Sequence, residues 1–296
     1  MRVIHALAES FGVAPVCTEL SVPVSTYYAR KRREEDPSAR TLRDDELVGE
    51  IHLARAGHRR VYGVCRTWHE LRRRGVEVGR DRVARLMCQE GLQGVCRGRR
   101  HQTTIRDESV TVRARDLVDR NFTATGPNEL WVADFTYLRT LSGFIYLSFI
   151  LDVFSRMIVG WQLASHMRSS LVVDALEMAA AVRCPPGGLI NHTDAGSQYT
   201  SVTHTDRLVE LGMQPSIGSV GDAYDNAMAE AFVGTIKSEL IQGRAMPSFE
   251  YAEHEILPWI SFYNRDRLHE ALGYISPVEF EAAYSGAQIL AGRVSA

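Results

Sequence analysis

The chain has 296 residues, 45% hydrophobic and 24% charged, with 34 Lys+Arg against 36 Asp+Glu and a formal net charge of -2. That composition is too apolar and too balanced for a disordered chain, and the length suggests about two domains with sizeable cores. The longest apolar stretch, Phe144 to Phe154, is broken by Ser148 and Asp152, which excludes a bilayer span, and the residues before Glu9 are too few for an export signal.

Five cysteines (Cys17, Cys65, Cys88, Cys96 and Cys184) form no C-x-x-C pair and no zinc spacing, so reduced thiols in a cytoplasmic protein are expected. Charge is segregated along the chain. Between Arg55 and Arg106 there are fourteen Arg and four acids (Glu70, Glu77, Asp81, Glu90), a local balance of +10. Such a block inside a folded segment suits a polyanion binder, with a solvated basic face as the plain alternative. Arginine is otherwise uninformative, because the chain holds 32 Arg and two Lys, Lys31 and Lys237.

Residues 1–36 read as a small helical unit. Ile4, Leu7, Ala8 and Phe11 share one helical face, and Gly12 ends it. Val16 to Leu20 forms a second helix, Val22-Pro23 breaks it, and Ser25 is placed to cap a third that carries Tyr27, Tyr28, Arg30 and Lys31. The outline is a helix-turn-helix, which fits nucleic-acid contact and a non-binding three-helix unit about equally.

A linker at residues 37–40 leads to a second, basic helical unit over residues 41–105. Its helices are expected near Asp44 to Arg55, Tyr62 to Arg74 and Arg80 to Glu90, stopped by Gly75 and Gly91 after the second and third. On the last, Val83, Leu86 and Met87 face inward, while Arg82, Arg85 and Gln89 share an outer stripe suited to phosphate and base-edge contacts. Arg97, Arg99, Arg100 and His101 follow as a basic tail suited to tracking a DNA backbone.

Residues 124–245 change to strands alternating with helices. Strands are expected at Leu130 to Leu138, Phe144 to Leu151, Met157 to Leu163, Leu189 to His192 and Met213 to Ile217. Helices are expected at Ser169 to Val182, Val202 to Leu211 and Asp225 to Ile241. An antiparallel meander followed by alternating elements is an α/β layer arrangement. Residues 246–296 read as a C-terminal helical extension.

Three acids stand where acids are costly without a task. Asp134 lies in an otherwise apolar strand, Asp194 directly follows another, and Glu230 sits between Ala and Met residues on a helix. Each alone also fits a strand-edge, turn or solvent-facing role. Clustered, they would repel and take up protons unless a hard divalent cation relieved them. Two magnesium ions about 4 Å apart would then support in-line displacement at phosphorus. Lys237, seven residues after Glu230, falls within about 20° of the same helical face and would hold a substrate phosphate.

Dispersed motifs accompany these acids: Leu130-Trp131-Val132-Ala133-Asp134-Phe135-Thr136-Tyr137, Leu151-Asp152-Val153-Phe154-Ser155-Arg156, Val159-Gly160-Trp161, and His192-Thr193-Asp194-Ala195-Gly196-Ser197-Gln198-Tyr199. Gly221-Asp222-Ala223-Tyr224-Asp225-Asn226, Lys237-Ser238-Glu239-Leu240, Phe262-Tyr263-Asn264 and Arg267-Leu268-His269 follow in order. Here the chain resembles an insertion-sequence transposase with a retroviral-integrase-like DDE core, most similar to the orfB-type product of the IS-three family. Thirty-five residues separate Asp194 from Glu230, that superfamily's spacing. Thr193 and Ala195 depart from its frequent His-Ser-Asp-Arg-Gly motif without replacing the acid.

The resemblance implies an RNase H-like integrase core behind helix-turn-helix units, with Asp134, Asp194 and Glu230 as catalytic, magnesium-binding residues. Two Mg2+ ions per site are implied, with Mn2+ as a substitute. It implies strand cleavage at element ends, then attack of the freed 3'-hydroxyl on another phosphodiester. Implied partners are double-stranded DNA (terminal repeats and target), other copies of the chain on DNA, and an orfA-type partner or frameshift fusion. A nucleoid-associated location follows, with no membrane role.

Rival readings are a non-catalytic end-binding factor or repressor and an RNase H-like nuclease. Asp152 is expected to pair structurally with Arg156, Asp225 and Asn226 to start a helix, and Asp222 is the main rival to Glu230. His192 fits a site-facing and a packed role alike. Tyr263, Asn264, Arg267 and His269 fit DNA contact or, slightly better, a helix packed on the core.

Overall fold

The computed structural model describes residues 2–96, 114–194, 196, 198–218 and 227–294. The chain divides into two compact units, residues 1–93 and 94–296.

In the first unit, α1 (Arg2–Phe11), α2 (Val13–Glu19) and α3 (Val24–Glu35) close around Ile4, Val16, Cys17 and Tyr27. Gly12 separates the first two helices at φ 79°, a backbone region that penalises a Cβ. Pro23, not Ser25, occupies the cap of α3, and no side chain caps that end. Proline suits the start because it donates no amide there.

Helices α4 (Ala39–Ala56), α5 (Val64–Arg73) and α6 (Arg80–Gln89) pack around Leu47, Ile51, Ala54, Leu71, Val83, Leu86 and Met87. The stretch expected to be a linker is already helical at residue 39. Ser38 accepts from the Thr41 amide, satisfying an otherwise orphaned first-turn donor. Arg55 is buried and donates to the backbone carbonyls of Tyr62, Arg60 and Gln93, tying the end of α4 to two later segments.

The second unit is built on a five-stranded sheet: β1 (Leu130–Thr140), β2 (Gly143–Asp152), β3 (Ile158–Ala164), β4 (Ile190–Thr193) and β5 (Gln214–Ile217). Spatial order is β3-β2-β1-β4-β5. The first three form an antiparallel meander, whereas β4 and β5 add in parallel on the far side of β1. The parallel strands are reached through α7 (Ser169–Arg183) and α8 (Val202–Glu210), as parallel crossovers require.

One face of the sheet packs Trp131, Ala133, Ile150 and Val159 against Val172, Ala175, Leu176 and Ala179 of α7. The other carries Phe149, whose ring lies 4.4 Å from Phe232 of α9 (Ala227–Ile236). Phe232 in turn meets Trp259 and Tyr263 of α10 (Phe249–Arg265), and α11 (Pro277–Val294) follows. The expected long helix ending at Ile241 is α-helical only to Ile236, then widens into a π-helical turn over Lys237–Ile241. Among the described residues no helix is long and apolar enough to cross a membrane.

Candidate active site

The parallel register of β1 and β4 aligns Ala133 with Thr193. Asp134 and Asp194 each follow by one residue, so the two acids stand side by side where β4 ends and β1 runs on. Strand alternation puts Asp134 on the same face as its antiparallel partner Phe149, the face that α9 covers. Glu230 lies in the first turn of α9, and Lys237 opens the π-helical turn beyond it.

Electrostatics ties these groups together. Burial, then the charge of Asp194, pushes the Asp134 carboxyl up to about 8. The Phe135 amide, 2.7 Å from Asp134 Oδ1, opposes the rise; Glu230 adds to it and Lys237 counters it. The Asp194 carboxyl is raised too, by desolvation of its side facing Asp134 although the residue as a whole is exposed, and the Gly196 amide at 3.0 Å and the nearby His192 oppose the rise. Two adjacent carboxyl groups that both hold their protons more tightly than usual are groups whose negative forms repel. Among the described residues no group of three His, Cys, Asp or Glu side chains is close enough to hold a metal ion. The fold thus brings Asp134 and Asp194 together and sets Glu230 and Lys237 within electrostatic reach of Asp134.

Lys237 Nζ stands 4.6 Å from the centre of the Tyr137 ring, and Tyr137 meets Phe144 edge-on at 5.5 Å. A cation over an aromatic face is held without losing its charge. Tyr137 and Phe144 are exposed. Sequence reasoning did not single them out; the available signal was a pair of aromatic residues at outward positions near a hairpin turn.

His192 is buried, with Nδ1 2.9 Å from Ser216 Oγ, 3.8 Å from Asp116 and edge-on to Phe122. Asp152 is also fully buried, but its partners differ from expectation. It accepts from the amides of Asn128 (2.7 Å), Phe154 (2.9 Å) and Ser155 (3.2 Å), and its charged neighbour is Arg183 at 3.9 Å. Arg156 instead donates its backbone amide to the Asp152 carbonyl, from a left-handed conformation at φ 60°.

Asn264 brackets the backbone of Ile158, accepting from its amide and donating to its carbonyl at 2.9 Å each. Tyr263, Arg267 and His269 are buried. These residues pack the C-terminal extension on the core, the reading preferred over DNA contact.

On α6, Arg82 and Arg85 both reach Asp44 of α4 at 2.8 Å, and Arg85 also donates to Gln89 at 3.0 Å. Asp44 was not anticipated, because it lies 38 and 41 residues from its partners. Arg97, Arg99, Arg100, Asp222, Asp225 and Asn226 lie outside the described residues.

Comparison with known proteins finds relatives over nearly the whole chain. Models of the integrase core domain match residues 124–223 and 211–277, and a model of an HTH-like domain matches residues 42–100. The chain is 45% identical over 287 residues to the transposase for insertion sequence element IS629 of Shigella sonnei, covering 96% of each chain. It is 46% identical over 271 residues to the putative transposase for element IS986/IS6110 of Mycobacterium tuberculosis strain H37Rv, covering 90% of this chain and 96% of the other. The HTLV-2 integrase catalytic core domain, solved in complex with magnesium, shares 16% identity at a TM-score of 0.44, covering 54% of this chain and 99% of that one.

Proposed function

The chain belongs to the IS-three family of insertion-sequence transposases, enzymes with an integrase core, and from that premise we propose that it cuts its element's ends and joins the freed 3'-hydroxyls to target DNA. The observation that carries the reading is the side-by-side placement of Asp134 and Asp194 on adjoining parallel strands, with Glu230 and Lys237 acting on the same charge.

The chemistry of the Asp134–Asp194 pair fits a divalent cation, although the described side chains do not bring a third acid into the same cluster. Hard carboxylate oxygens suit Mg2+ or Mn2+, and the weakened acidity of Asp134 and Asp194 marks ionised forms that a cation would stabilise. Asp134 and Asp194 would hold the ions, with Glu230 completing the set. Bound ions of this kind activate an attacking oxygen and stabilise the leaving one in displacement at phosphorus. Lys237 holds a non-bridging oxygen of the substrate strand beside the acids, with Tyr137 keeping the ammonium in place. No nucleophilic side chain is needed, since a water and then a DNA hydroxyl attack in turn.

Arg82, Arg85 and Gln89 of α6 contact the end duplex, extended by Arg97, Arg99 and Arg100. Joining two ends calls for two active sites, so copies of the chain assemble on DNA. The test is incubation of full-length protein with a labelled element end and Mg2+, alongside Glu230→Gln. End-specific cleavage and joining by the parent alone is the expected result. Random nicking would favour a nuclease, and binding without any product would favour an end-binding factor.

A further inference from the structure

The outer stripe of α6 is not simply a row of waiting cations. Asp44, in the second turn of α4, accepts from Arg82 Nε at 2.8 Å and from Arg85 NH2 through both carboxylate oxygens at 2.8 Å. Arg85 NH1 continues to Gln89 Oε1 at 3.0 Å, so one train of hydrogen bonds runs from Arg82 through Asp44 and Arg85 to Gln89. The Arg85 and Arg82 guanidinium groups lower the Asp44 carboxyl from its ordinary value.

The partners are neither buried nor freely solvated. The arginine side chains are 34% and 36% exposed and that of Asp44 is 16% exposed. A duplex could reach the arginines, yet charge-assisted bonds at such distances are the stronger class and are only partly screened here. A carboxylate between two guanidinium groups has the charge and acceptor geometry of a DNA phosphate. It also leaves the trio at one net positive charge rather than two.

We propose that Asp44 determines the selectivity of α6 by standing in for a DNA phosphate at Arg82 and Arg85. A random duplex offers chiefly phosphates, and taking these arginines from Asp44 exchanges one anion for another at little gain. A duplex bearing the proper sequence also offers base edges, whose donors and acceptors the Arg85–Gln89 pair can match. Asp44 therefore suppresses non-specific binding more than end binding. This inference rests on the reading that α6 contacts DNA.

The test measures binding of full-length protein to two labelled duplexes of equal length, one carrying the terminal repeat of the encoding element and one of shuffled sequence, over about 50–200 mM salt. Asp44→Asn should bind the shuffled duplex roughly three- to tenfold more tightly at the low-salt end, with a log–log slope steeper by about 0.9. The end duplex should gain less, so the ratio between them falls. Asp44→Glu, which keeps the charge, should stay near the parent.

Loss of affinity for both duplexes in equal proportion, with a lowered thermal midpoint, would make Asp44 a mere strut between α4 and α6 and overturn the proposal. So would an unchanged slope and ratio. The double variant Arg82→Ala/Arg85→Ala separates the two readings. If it loses binding while Asp44→Asn matches the parent, the Asp44 inference alone fails. If it binds as the parent does, the role of α6 fails too.

Discussion

Arg267 grips Glu239 through Nε and NH2, with donor–acceptor distances of 2.8–3.2 Å between residues 28 positions apart, and both side chains are buried. Glu239 belongs to the π-helical turn that Lys237 opens, whereas Arg267 follows α10. The pair therefore ties the C-terminal extension to the segment presenting the lysine beside Asp134. A π-turn is often found at functional sites, where it re-aims side chains, and this one is anchored by a buried ion pair.

Removing one member of that pair strands a charge in the interior. Arg267→Leu is expected to lower stability by about 3–5 kcal/mol in urea unfolding, and the double variant Glu239→Leu/Arg267→Leu by clearly less. Equal losses in the two would mean that the pair's value lies in shape rather than charge.

Stability without metal should fall as pH rises. The folded state holds the Asp134 proton up to about 8, against an ordinary value of 3.8. Between those limits the folded chain binds more protons than the unfolded one, so stability is lost through that window, by at most about 1.4 kcal/mol per pH unit for one proton. Asp134→Asn should flatten the profile and raise the melting temperature at pH 8 in chelator. Added Mg2+ should raise it for the parent and not for the variant. A parent profile that is flat from pH 5 to 8 would contradict the raised proton affinity of Asp134.

Lys237→Ala should weaken contact with the terminal nucleotides, lowering the salt slope of end binding by about 0.9 for one lost phosphate contact. Lys237→Arg should retain most of the slope, because a guanidinium can also lie over Tyr137. Photo-cross-linking at the end nucleotides, unchanged in Lys237→Ala, would remove the lysine from the substrate path.

Gly160 of β3 lies against α7. A Cβ there would stand 2.3 Å from the Ala175 carbonyl oxygen and 2.7 Å from the Ala179 Cβ. Neither neighbour is the end of a flexible side chain, so the helix must move off the sheet. Gly160→Ala is expected to destabilise the second unit by about 3 kcal/mol. Unfolding at the parent's urea midpoint would show that α7 gives way easily.

Most secondary elements were legible in the sequence because strand alternation, helical stripes and terminal glycines are local signals. The meander from Leu130 to Ala164 and the stops at Gly12, Gly75 and Gly91 needed no knowledge of distant partners. The three acids were also conspicuous locally, each being ill-suited to its apolar surroundings. Boundaries at Ser38 and Ile236 were less legible. Capping and π-turn geometry depend on which donors the neighbouring segments leave unsatisfied.

What sequence alone determined was therefore the set of parts: a basic helical unit, an α/β unit and candidate acids in order. The tertiary structure decided who meets whom. Parallel pairing of β1 with β4 set Asp194 beside Asp134, Arg183 rather than Arg156 came to face Asp152, and Asp44 took the arginines of α6. Periodicity is written into every few residues. A contact across dozens of residues exists only once hydrophobic faces have chosen their packing partners, and that choice belongs to the chain as a whole.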